Sequence, residues 1–91
     1  MKIATALALS IGLNASVHAE TFDLTKMPDT QRDVKTILNR NGAHCPTPIR
    51  DTQVGEDARG KIYKIDCQSS DGKAEWSVRL FLGQRQLVEP W

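Results

Sequence analysis

The spacing of apolar positions changes along this chain, and each change predicts an element. Behind Met27, the residues Val34, Ile37 and Leu38 recur at helical intervals, while Arg32, Asp33, Lys35 and Asn39 occupy the opposite side. One stripe to bury and one to solvate describes an amphipathic helix. Pro28 and the capping-type Asp29 open it, and Arg40 followed by Asn41-Gly42 closes it, so a helix is expected over residues 29–41. Residues 21–27 read as a loosely held lead-in, with Phe22 and Leu24 available for packing.

After the helix the period becomes two. Cys45-Pro46-Thr47-Pro48 is forced into an extended path by its prolines. Residues 49–54 suit a short edge strand, and 55–60 form a polar loop bounded by Gly55 and Gly60. Over residues 61–68, Tyr63, Ile65 and Cys67 share one face and Lys64 and Asp66 the other. Asp71-Gly72 carries a hairpin signal. Residues 74–82 alternate most clearly: Trp76, Val78, Leu80 and Leu82 point one way, and Glu75, Ser77, Arg79 and Phe81 the other. Gly83-Gln84-Arg85 turns the chain into a last strand over 86–89, where Leu87 and Val88 compete for the inward face.

The fold expected from this pattern is α+β: one N-terminal helix packed on a three- to four-stranded antiparallel meander. The helix stripe and the face carrying Tyr63, Ile65, Trp76, Val78 and Leu80 each need an apolar cover and supply one to each other.

The start of the chain follows a different logic. Lys2 precedes a mostly apolar run over residues 3–15, and Val17-His18-Ala19 then places small residues where a signal peptidase reads them. The run is too short and too soft for a bilayer span, which needs about 20 apolar residues. Residues 1–19 are therefore expected to be a cleavable signal peptide, and residues 20–91 a single domain of the periplasm or the extracellular medium. Removing 19 of the 91 residues leaves 72. All eleven acidic residues remain and, with Lys2 gone, eleven of the twelve basic ones, for a formal charge of zero. A neutral surface lacks the basic footprint that nucleic acid demands. It also gives no reason to expect insertion into, or attraction to, a membrane after cleavage.

A 72-residue core supplies few kcal/mol by itself, and an oxidising compartment permits a staple. Cys45 and Cys67 are the chain's two cysteines, so one disulfide is expected. Closing a loop of about 23 residues is worth roughly 3 kcal/mol on the chain-entropy account. Once bridged, Cys45 offers no thiolate to its neighbour His44, the sole histidine beyond residue 19. Asp51, Glu56 and Asp57 lack calcium-loop spacing and stand between Arg50 and Arg59. Phosphate-cradle and zinc motifs are missing as well. The chain is thus read without catalytic residues, metal or cofactor.

Function is then sought on the surface. Ile62 and Phe81 are expected on the outer face of the sheet among charged residues including Arg79, where large apolar groups can seed a protein contact. Glu56, Asp57 and Arg59 in the polar loop and Trp91 after Pro90 complete the candidates for partner binding. The helix followed by G-K-I-Y-K-I-D-C and D-G-K-A-E-W-S-V-R-L resembles PepSY-type small envelope domains. Gly60, Tyr63, Ile65, Asp71, Gly72 and Val78 carry the likeness over roughly residues 29–90. That resemblance implies an inhibitory or regulatory binding module, often linked to proteases. The expected function is a non-enzymatic exported binding module with a protein partner. A structural homodimer is the alternative, and a small hydrolase or redox enzyme ranks behind both.

Overall fold

The computed structural model describes residues 20–91, and the leader expected over residues 1–19 lies outside them. A short strand β1 (Thr21–Asp23) and a 3-10 turn (Leu24–Lys26) come first, then helix α1 (Pro28–Arg40). Strands β2 (Thr47–Asp57), β3 (Gly60–Gln68), β4 (Glu75–Leu82) and β5 (Gln86–Pro90) follow. All five strands form one sheet in the order β1-β2-β3-β4-β5, with every neighbouring pair antiparallel.

This corrects the expected fold, an N-terminal helix on three or four strands. The sheet has five strands, and β1 precedes the helix. Three residues are too few to show a period, so β1 leaves no sequence signal. It forms by pairing Thr21, Phe22 and Asp23 with Thr52, Asp51 and Arg50 of β2. The lead-in is also anchored where it was expected to be loose. The Asp23 carboxylate accepts from the Thr25 backbone N–H at 3.0 Å, and Leu24 is fully buried.

α1 begins one residue early. Met27 stands at its N-cap without a side-chain bond and Pro28 follows in the first turn, so Asp29 is not the cap. Proline suits that position because its missing N–H would find no helical partner there. The exit matches the stop signal: the Asn41 side-chain amide donates to the Ile37 carbonyl at 2.8 Å, and Gly42 takes φ +85°. The Gln31 amide donates to the Pro48 carbonyl at 2.8 Å, tying α1 to β2.

β2 is much longer than the edge strand expected over 49–54, and it lies inside the sheet. Pairing with β3 extends it through Thr47 and Pro48 at one end and Gly55 to Asp57 at the other, while Arg50, Asp51 and Thr52 also pair with β1, so their backbone is satisfied on both sides. The expected 55–60 loop shrinks accordingly. Gly55, Glu56 and Asp57 pair with Ile62, Lys61 and Gly60, leaving Ala58-Arg59 as the turn. Gly60 takes φ +119°, and a Cβ there would stand 2.4 Å from the Leu82 carbonyl oxygen, so this turn sits directly against the one between β4 and β5.

One side of the sheet meets α1. Leu24, Val34 and Leu38 pack there against Ile65, Val78 and Leu80, with Tyr63, Trp76 and Val88 at the margin. Cys45 and Cys67, both fully buried in this cluster, are joined in a disulfide with Cα atoms 5.4 Å apart. The bond fastens the segment after the helix to the end of β3. Opposing Val88 to Leu80 turns Val88 inward and places Leu87 opposite Phe81 on the outer side, which settles the competition in β5.

Candidate functional site

Away from the helix, the alternation of the strands delivers three rows of side chains to the outer face. Arg50 of β2, Asp66 of β3 and Ser77 of β4 are successive partners across the ladder. The Arg50 guanidinium donates to Asp66 at 2.8 Å and to Glu75 at 3.0 Å, and the Ser77 hydroxyl donates to Asp66 at 2.6 Å. Burial pushes the Asp66 carboxyl upward, but the bonds from Ser77 and Arg50 outweigh it and hold the group below its ordinary value.

The middle row sets Lys64 directly opposite Arg79, which in turn opposes Glu89. Like charges facing each other across a ladder repel. Trp91 relieves this pair: its ring centroid is 4.7 Å from the Arg79 guanidinium and 5.2 Å from the Lys64 ammonium. Glu89 adds a longer contact to Arg79 at 3.9 Å. The ring that links the two cations is itself 49% exposed.

The third row is apolar, with Ile62, Phe81 and Leu87 as successive partners. Phe81 was expected to be open to solvent. It does lie on the outer face, but it is 0% exposed. Arg59 covers it, with the guanidinium carbon 3.9 Å from the ring centroid. Arg59 is held in turn by Asp57 at 2.9 Å and Glu89 at 3.4 Å. The hydrogen bonds from the side chain and backbone of Arg59 lower the Asp57 carboxyl. Two loop candidates thus serve to shield Phe81. Leu87, at 37% exposure, is the open end of the row.

The sequence candidates therefore divide. Ile62, Phe81, Arg79, Arg59 and Asp57 come together with Trp91 around β4 and β5. Glu56 pairs with Lys61 near the turn and is exposed. Leu87, Lys64 and Glu89 were missed. Leu87 and Val88 are adjacent and both apolar, and Pro90 opposite Val78 is the pairing that fixes their faces.

Elsewhere little chemistry assembles. His44 is exposed beside the bridged Cys45. Asp51 lies on the helix side of β2, six positions from Asp57, or roughly 20 Å along an extended strand. These carboxylates cannot share one ion. The Asp51 Oδ1 atom is buried without a hydrogen-bond partner among the described residues, and desolvation raises its carboxyl above the ordinary value. No family model, curated protein or solved structure matches this chain.

Proposed function

We propose that residues 20–91 are a non-enzymatic exported binding module that inhibits or modulates another protein of the envelope or the extracellular medium. One observation carries this reading. Trp91 and Leu87 stand exposed on the β5 side of the outer face, amid Lys64, Arg79 and Glu89. An aromatic and an aliphatic group framed by charge make the usual centre and rim of a protein interface. The partner fitted to it presents an apolar side chain flanked by a carboxylate, which would relieve the opposed Lys64 and Arg79. The disulfide fits an exported chain. Among the described residues, no helix is long and apolar enough to cross a membrane. The PepSY-type resemblance points toward the same inhibitory class.

The test is capture from envelope and medium fractions by the exported chain with its disulfide intact. Trp91→Ala combined with Leu87→Ser should lose the captured protein, while Lys35→Ser on the exposed face of α1 should retain it. Equal capture by all three overturns the assignment of this surface. Phe81 is unsuited to such a test, because charging a buried ring would disturb the fold.

A further inference from the structure

We infer that β5 is also a self-pairing edge, through which two copies of this chain join into one antiparallel ten-stranded sheet. β5 closes the strand order, so among the described residues one side of its backbone has no partner strand. Native edges are commonly guarded by lysine, a bulge or a covering segment. β5 carries no lysine and no bulge: its sequence is Gln86-Leu87-Val88-Glu89-Pro90, its pairing with β4 runs without a register shift, and the Asn41 amide after the helix reaches it through one bond to Gln86 at 3.4 Å. The opposite edge is different. β1 has only three residues, and β2 beyond it is irregular at Pro48/Arg50 and Gln53/Gly55.

A two-fold axis at Val88 gives the one antiparallel register in which all five β5 residues pair with all five of the second copy. Val88 then meets Val88, Gln86 meets Pro90, and Leu87 meets Glu89. Even-numbered positions stay on the helix side and odd ones on the outer side, so both sheet faces continue across the seam. Charge favours this register. Arg85 is exposed, makes no ion pair among the described residues, and would lie diagonal to Glu89 of the second copy. Moving the axis to Glu89 would oppose two carboxylates. At Val88, the two Leu87 side chains become diagonal neighbours and cover part of each other's exposed surface.

The seam is small beside standard interfaces of about 1,200–2,000 Å² total, so association is expected to be weak and dependent on concentration. The inference does not rest on the partner reading, since failed capture leaves it intact and a monomer leaves the capture result intact.

Sedimentation of the exported chain from about 10 µM to about 1 mM, a range chosen for a small interface, should show a monomer–dimer equilibrium. Leu87→Glu, which sets a carboxylate directly opposite Glu89 of the second copy, and Arg85→Glu should each weaken it at least about tenfold. Circular dichroism should show both variants folded. Under oxidising conditions Val88→Cys should crosslink to its own copy, whereas Leu87→Cys and Glu89→Cys should not. A mass that stays monomeric throughout, or a dimer indifferent to both charge variants, overturns the inference. Crosslinking through Leu87→Cys or Glu89→Cys in place of Val88→Cys overturns the register.

Discussion

Replacing Asp51 with valine should stabilise this protein, although a carboxylate on the helix side of a sheet invites a functional reading. Asp51 lies between Phe22 of β1 and Ile65 of β3. Its Oδ1 atom has no hydrogen-bond partner among the described residues, and burial alone accounts for its raised pKa. Leaving a buried polar atom unsatisfied costs about 1–3 kcal/mol, and valine suits a strand better than aspartate. Because Asp51 keeps partial access to solvent, the lower half of that range applies: a gain of about 1–2 kcal/mol at pH 7. In a domain of this size, each kcal/mol moves Tm by about 4–8 °C.

The sign with pH follows from linkage. The folded carboxyl binds its proton more tightly than the unfolded one. The native chain therefore carries the full penalty above the raised folded pKa. It recovers stability as pH falls from there to the ordinary carboxylate value. Valine has nothing to recover, so the advantage of Asp51→Val should be largest at neutral pH and shrink on acidification. Urea unfolding of both chains at several pH values, followed by tryptophan fluorescence, measures the difference directly. A variant less stable than the native chain at pH 7, or a gap that does not narrow in acid, would refute this reasoning.

Other consequences can be measured in the same way. Replacing Cys45 and Cys67 together with alanine should cost roughly 3 kcal/mol on the chain-entropy account, seen as a lower urea midpoint. Gly60→Ala should cost at least about 2 kcal/mol, because a positive φ and a blocked Cβ position coincide there. Gly72→Ala, at φ +76° with open space around it, should cost only about 1 kcal/mol by thermal melting. Asp66→Asn should lower stability by about 1 kcal/mol at neutral pH, the size of an ordinary hydrogen-bond loss. Since the native Asp66 pKa is lowered, that loss should fade as pH falls through the folded value and both chains become uncharged at this position.

Regular repetition made much of the architecture legible in the sequence. Val34, Ile37 and Leu38 marked the helix, and the alternations around Ile65 and Val78 marked β3 and β4 with the correct inward face. With two cysteines only one pairing was available, and the structure has it. β1 was invisible because three residues have no period and their partner, β2, is distant in sequence. β2 was truncated because Pro48 and the glycine-led polar run Gly55-Glu56-Asp57 read as non-strand, while the ladder to β3 carries pairing through both. The outer face was legible as a list of residues but not as an arrangement. Alternation places Phe81 outward, yet only the fold brings Arg59 over it from the β2–β3 turn. Nothing local ties Trp91 to Lys64, 27 positions earlier; the antiparallel ladder does.

The partner-binding account rests most directly on Trp91. The decisive measurement is a titration of the purified captured protein into this protein and into its Trp91→Ala variant. An exposed tryptophan at an interface centre should be worth at least about 2 kcal/mol, so Kd should rise about thirtyfold or more in the variant while its urea midpoint stays near the native value. An unchanged Kd with Trp91 removed would contradict the account.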